Sequence, residues 1–93
     1  MSFAWHKRAA VAPEVLFQEV AGEAVLLNMK TEQYHGLDPV GTRMWTLMAS
    51  GITFEETKQA LLKEFDVEED RLAADLKEFT EMLEGKGLIE IQA

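Results

Sequence analysis

Few of the 93 residues are of the types that catalyse reactions, and those few are dispersed. The only serines are Ser2 and Ser50, and the only histidines are His6 and His35. No serine and histidine, and no two carboxylates, stand where local structure would set a nucleophile beside a general base. The many acidic residues fall on predicted helix faces, where a solvated surface is the ordinary explanation. The sequence therefore predicts no catalytic residue and no enzyme.

Metal and cofactor chemistry has as little support. The chain has no cysteine, so disulfides, thiolate nucleophiles, cysteine-ligated zinc and iron–sulfur clusters are excluded. His35 and Asp38 could approach each other, but two ligands do not make a metal site. We expect no metal and no cofactor.

The charge of the chain argues against nucleic acid as a partner. The formal net charge is −8, whereas most proteins that bind DNA or RNA present a basic face to the phosphates. No apolar run approaches the roughly 20 residues that a membrane helix needs. Residues 1–13 contain no apolar segment typical of a signal peptide. We expect a cytoplasmic protein with no nucleic acid and no membrane among its partners.

The elements that would carry a binding site begin with three predicted strands. Residues 14–20, 24–29 and 34–37 are short and rich in apolar residues, and turn residues separate them. They predict an antiparallel meander. In the second strand, Val25 and two further apolar residues at alternate positions, Leu27 and Met29, are expected to face the core.

Three helices are predicted to follow. Asp38-Pro39 is a helix start, since the Asp side chain can cap the first turn and proline suits the first helical position. This helix is expected over 39–49. Thr53 and Glu56 have the spacing of a capping box before a second helix at 54–65. A third is expected over 68–85, and a short strand at its end is possible.

The order of elements predicts an α+β fold, in which an N-terminal three-stranded antiparallel sheet packs on a three-helix bundle like that of a winged helix-turn-helix. Residues 1–13 are expected to form a loose N-terminal tail and residues 14–93 the domain. Phe3 and Trp5 leave open the alternative that the tail is anchored.

The winged-helix likeness makes a DNA-binding regulator the main alternative function. In that fold the third helix would enter the major groove. Its segment, residues 66–84, contains eight acidic side chains against only Arg71 and Lys77, so phosphates would repel it. A structural or dimerisation module is a third possibility.

The third predicted strand, Tyr34-His35-Gly36-Leu37, suggests a different function. As the last strand of a meander it lies at one edge, where unpaired backbone groups can accept an extended peptide. Gly36 would let another backbone approach closely, or would serve a bulge that leads into the helix. Tyr34 fits either a pocket wall or the core, and composition favours the core.

Longer segments resemble the PqqD-like family of peptide-recognition domains, which act on ribosomally synthesised peptide natural products. They are VLLNMKTEQYHGLDPVGTRMW, LLKEFDVEED and AADLKEFTEMLEGKGLI, within a similarity over about residues 14–89. The most specific matches are Leu27-Asn28, Tyr34, Leu37, Gly41, Trp45, Phe65-Asp66-Val67, Asp75 and Gly87-Leu88. LDPVG and TLMASG depart from the branch that makes pyrroloquinoline quinone (PQQ), so the chain is more similar to the broader stand-alone group.

The resemblance implies that the leader segment of a precursor peptide adds as a strand beside residues 34–37. Leader side chains would lie in the groove against the third helix. The domain would present the peptide to a radical-SAM enzyme or to a leader peptidase and cyclase of a lasso-peptide pathway. Independently of the resemblance, self-pairing of the edge strand leaves both a monomer and a strand-exchanged dimer open. The implied peptide-binding residues are Tyr34, His35, Gly36, Leu37, Leu72, Asp75, Leu76, Phe79 and Met82.

Overall fold

The computed structural model describes residues 3–93, which form five β-strands and three α-helices. The strands are β1 Arg8–Val11, β2 Val15–Val20, β3 Glu23–Asn28, β4 Gln33–Leu37 and β5 Ile89–Gln92. The helices are α1 Pro39–Ala49, α2 Phe54–Glu64 and α3 Glu69–Gly85.

The strands form two antiparallel sheets. The larger has the order β2-β3-β4, so β3 is central and β2 and β4 are its edges. The smaller consists of β1 and β5. The predicted α+β class, with a three-stranded meander followed by three helices, is confirmed. The comparison with winged helices stays a prediction.

A two-residue turn joins β2 to β3. Ala21 has φ 55° and Gly22 has φ 82°, and Val20 pairs with Glu23 across the turn. Positive φ at both central residues is the signature of a type I′ turn, whose twist matches that of the strands. Alanine at the first of these positions is strained, because its Cβ crowds the following carbonyl.

The prediction for the core face of β3 is wrong. Ala24, Leu26 and Asn28 are buried, whereas Val25 and Met29 are exposed. Both alternating sets are largely apolar, so their periodicity could not tell which faces the helices. Asn28 can lie on the buried face because its carboxamide oxygen accepts hydrogen bonds from the backbone N–H groups of Lys30 and Thr31 in the next turn.

The helix starts are those that the sequence indicates. The Asp38 side chain accepts the Gly41 N–H at 2.7 Å, and Pro39 is at the start of α1. Thr53 and Glu56 form the complete capping box of α2. These side chains satisfy backbone donors that the first helical turn leaves without partners.

One bidentate ion pair links α1 to α2. Arg43 donates to both carboxylate oxygens of Glu64, at 2.7 and 2.8 Å. The hydrogen bonds from Arg43 lower the pKa of Glu64, so the pair stabilises the fold above the ordinary glutamate pKa, and this contribution is lost as the pH falls through the lowered value. Solvent screens both side chains, which keeps the contribution small.

The expectation of a loose tail over residues 1–13 is wrong for its described part. Residues 8–11 form β1, which pairs along its whole length with β5. Upstream, the carbonyl oxygens of Trp5 and Lys7 accept the N–H groups of Glu55 and Phe54 at the start of α2. The unpaired edge of β5 and the free donors of α2 supply partners that no local pattern in residues 3–11 reveals.

Aromatic packing anchors the same segment, which was the alternative left open. The Phe3 ring lies 4.7 Å from that of Trp5 and 5.0 Å from that of Phe54, which is fully buried. The Lys58 ammonium lies 4.7 Å from the centroid of Trp5. Within residues 3–93, no helix is long and apolar enough to cross a membrane.

Replacing Ala21 tests the strain in the β2–β3 turn. Ala21→Asn creates Asn-Gly, the preferred pair for a type I′ turn, and should raise the free energy of unfolding by about 0.5–1 kcal/mol. Ala21→Val should lower it, since a β-branched residue tolerates positive φ poorly. Urea unfolding measures both. An unchanged or lower midpoint for Ala21→Asn would contradict this account.

Candidate functional site

The free edge of β4 is the first part of the candidate site. β4 pairs with β3 on one side, and within residues 3–93 no strand pairs with its other side. A free edge carries a row of backbone donors and acceptors that can pair with an added strand. The predicted edge strand is therefore present, one residue longer than expected.

Hydrogen bonding identifies which residues of β4 face outward. The Ala24 N–H donates to the Thr42 hydroxyl at 2.8 Å, on the β4 side, and Ala24 is paired with Leu37. Backbone groups alternate between the two sides of an antiparallel strand. The Leu37 backbone thus points toward β3, while the N–H and C=O groups of Gly36 and Tyr34 point to the free edge.

The side chains of β4 divide between the two faces of the sheet. Tyr34 is 71% exposed and is paired with Leu27 on the face away from the helices, so the expectation that it lies in the core is wrong. Gly36 is on that same face, and an added Cβ would meet no atom within 4 Å. His35 and Leu37 point to the inner face, where Leu37 is buried.

The Thr42 hydroxyl holds β4 against α1. It accepts the Ala24 N–H and lies 3.4 Å from the Leu37 carbonyl oxygen, to which it donates. Thr42 is buried, so these backbone groups have little access to water. One side chain therefore bridges the start of β3 and the end of β4.

The five predicted α3 residues separate into core and surface. Leu72 and Leu76 are buried in the core. Phe79 and Met82 are half-buried at its margin, and Asp75 is exposed. The sequence pattern could not make this division, because core and groove residues share one apolar stripe.

Two depressions follow α3 and meet at Asp75, and we call them together the α3 groove. One, of about 330 Å³, is lined by Asp75, Glu78, Phe79 and Met82. The other, of about 490 Å³, lies toward the start of α3. It is lined by Val40, Met44, Phe65, Val67, Glu68, Arg71, Leu72 and Asp75.

Some lining residues were missed by sequence reasoning. Val40 and Val67 are exposed apolar residues at the start of α1 and in the loop before α3. An apolar residue beside a helix cap, outside the buried stripe, is the only signal that could have indicated them. The chain thus presents a longer groove than the predicted set of residues describes.

Gly41 brings the groove close to the edge strand. A Cβ at this position would lie 3.6 Å from both Leu37 Cβ and Phe79 Cε1, and 3.1 Å from Asp38 Oδ1. The distances to Leu37 and Phe79 are ordinary van der Waals contacts, whereas the distance to the capping carboxylate is tight. Gly41 therefore lies between the end of β4 and Phe79, and a side chain there would crowd the Asp38 cap of α1.

The α3 groove combines an apolar floor with an acidic rim. Glu68, Asp75 and Glu78 line it, against Arg71 alone. Arg71 Nε lies 3.8 Å from Asp75 Oδ2, and both side chains are largely exposed, so this pair neutralises little of the rim. Such a groove suits a peptide with apolar and basic side chains. No cluster of metal-ligating side chains occurs in residues 3–93.

Comparison with known proteins supports the family resemblance. The family profile described as coenzyme PQQ synthesis protein D (PqqD) matches residues 23–89. The chain belongs to the PqqD family. A search of curated proteins finds no match.

Among solved structures, this PqqD-family chain is similar to one described as TbiB1 in complex with the TbiA(beta) leader peptide. The two share 34% sequence identity with a TM-score of 0.83. The match covers 87% of this chain and 94% of TbiB1. The sheet and helices described above are thus those of a TbiB1-like structure.

Thr42→Val tests the junction between β4 and α1. Valine matches the shape of threonine but cannot accept the buried Ala24 N–H, so the free energy of unfolding should fall by about 1–3 kcal/mol. Thr42→Ser keeps the hydroxyl and should lose less. Urea unfolding of both variants measures the difference. Equal stability of the two would show that the hydroxyl bridge is unimportant.

Proposed function

We propose that the chain binds the leader segment of a ribosomally synthesised precursor peptide, which adds as a strand to β4, and presents it to a modifying enzyme. The single observation that carries this proposal is the free β4 edge, with Tyr34 and Gly36 directed outward, beside the α3 groove. Support comes also from TbiB1, which is 34% identical and is described in complex with a leader peptide.

Strand addition assigns different roles to the two faces of the bound peptide. Its backbone would pair with the outward groups of Tyr34 and Gly36. Its alternate side chains would point inward, to the α3 groove with Asp75, Phe79 and Met82, or outward beside Tyr34. His35 and Leu37 would support the strand from the inner face, and Leu72 and Leu76 would support α3 from the core.

The partner of the loaded domain would be the enzyme that processes the precursor. We propose a radical-SAM enzyme or a leader peptidase and cyclase, acting in the cytoplasm in PQQ, lasso-peptide or related biosynthesis. The chain would contribute binding rather than catalysis and would need no cofactor. A DNA-binding role is disfavoured, because the α3 surface is acidic throughout its length and would be repelled by phosphates.

Gly36→Pro tests the docking mode. Proline removes the outward N–H while its ring projects into solvent at the edge, where proline is tolerated. The probes are labelled synthetic leaders of candidate precursor peptides from the same genome and the TbiA(beta) leader peptide. The affinity for the leader that binds the unmodified chain should fall about tenfold, since a backbone hydrogen bond is lost. Fluorescence anisotropy measures the binding, and thermal unfolding checks that the domain remains folded.

Glu19→Pro is the matched control on the opposite edge. Val20 and Glu23 close the hairpin and exchange hydrogen bonds, so the Glu19 N–H points away from β3. This variant should bind the leader like the unmodified chain. Equal losses from both prolines would indicate a general effect on the sheet. Unchanged binding by Gly36→Pro would reject addition at β4.

A further inference from the structure

The outer face of the β2-β3-β4 sheet, away from the helices, is largely apolar and uncovered. Register places Leu16, Leu27 and Tyr34 in one row across its three strands. We define the outer face as the surface that carries Gln18, Glu23 and Gly36 together with six apolar residues. The apolar residues are Leu16, Val20, Val25, Leu27, Met29 and Tyr34. Except for Leu27, which is half-buried, these side chains are 42–71% exposed.

The pattern of β3 is typical of a strand that is covered on both sides. Ala24 and Leu26 face the helices, while Val25 and Leu27 face outward, so apolar residues run without alternation. An antiparallel sheet with one solvated face usually alternates apolar and polar residues. Within residues 3–93, this chain covers only the inner face. The outer face has the composition of an interface.

We infer that the outer face is the docking surface for the modifying enzyme, and that the enzyme contacts the sheet and the bound leader together. This inference rests on the proposed function. Tyr34 and Gly36 belong both to the outer face and to the free edge, so a leader strand on β4 would extend the same surface. Alternate leader side chains would emerge beside Tyr34 and enter the enzyme's contact area.

The charges around the outer face specify the chemistry of its partner. Glu23 lies on this face at the start of β3, and Glu32 lines a depression with Leu27, Met29 and Tyr34. The complementary surface is an apolar patch with basic side chains at its rim. A second copy fits less well, because it would present the same carboxylates and both chains carry a net charge of −8.

The size of the outer face explains why the leader would matter. Three strands of five or six residues, at ordinary strand spacing, present about 300 Å². A stable interface buries about 800 Å² on each partner. The sheet alone is therefore too small for lasting association, and a fourth strand with its outward side chains enlarges it. The enzyme should accordingly prefer the loaded domain.

The test compares the double variant Leu16→Thr/Val25→Thr with the unmodified chain. Threonine keeps strand propensity but removes apolar surface from the outer face. The probes are the purified radical-SAM enzymes and leader peptidases of peptide-modification pathways in the same genome, each with and without saturating leader peptide. With leader peptide bound, the unmodified chain should bind the enzyme about tenfold more tightly than without it. With leader peptide bound, the double variant should bind the enzyme about tenfold more weakly than the unmodified chain. Its affinity for the leader alone should be unchanged.

Controls keep each outcome decisive. Val11→Thr removes an exposed valine from the other sheet and should leave enzyme binding unaltered. Val20→Thr replaces the most exposed valine of the outer face. If the double variant does not fold, this single variant takes its place in the enzyme-binding measurement. Unaltered enzyme binding by the outer-face variants, or no binding by the unmodified chain, overturns the inference. If sedimentation shows that the unmodified chain is a dimer and that Val25→Thr is a monomer, a second copy covers the outer face, and the inference is overturned. Failure of the leader to bind would instead reject the proposed function.

Discussion

The junction between β4 and α1 is the constraint on which the rest of the site depends. The chain passes from the edge strand to the helix with only Asp38 between them. Asp38 caps α1, and the buried Thr42 hydroxyl bridges the start of β3 and the end of β4. Gly41 lies between Leu37 and Phe79 of α3, and a side chain there would crowd the capping Asp38 carboxylate. These contacts hold the free edge and the α3 groove in a fixed relation, as a preorganised peptide site requires.

Partners distant in sequence complete the fold around that junction. Residues 3–11 supply hydrogen-bond acceptors to α2 and a strand to β5, and they bury Phe3 against Phe54. A chain of this size has a small core, so an N-terminal segment that adds aromatic packing contributes substantially to it. The described part of the N-terminus thus belongs to the folded unit. Its strand β1 is in the smaller sheet, whereas the candidate site is at the edge of the β2-β3-β4 sheet.

The two faces of the β2-β3-β4 sheet have different tasks. The inner face packs on the helices and carries Leu26 and Leu37 into the core. The outer face keeps its apolar side chains in solvent, at an energetic cost that the fold itself does not require. The packing of this sheet on three helices is the fold that the chain shares with the TbiB1 structure.

The sequence by itself determined the elements whose signals are local. Asp38-Pro39 and the Thr53–Glu56 box define helix starts because capping involves residues within one turn of each other. The order of strands and helices, the edge position of Tyr34-His35-Gly36-Leu37 and the family motifs could likewise be read directly.

Only the tertiary structure decided which side of each element is covered. β3 is apolar on both faces, so hydrophobic periodicity predicted the wrong one, and Tyr34 proved to be exposed. In α3, Leu76 and Phe79 belong to one apolar stripe, yet one is core and the other lines the groove. The pairing of β1 with β5 joins the two ends of the described chain. Each of these outcomes depends on contacts between residues far apart in sequence, which local patterns do not encode.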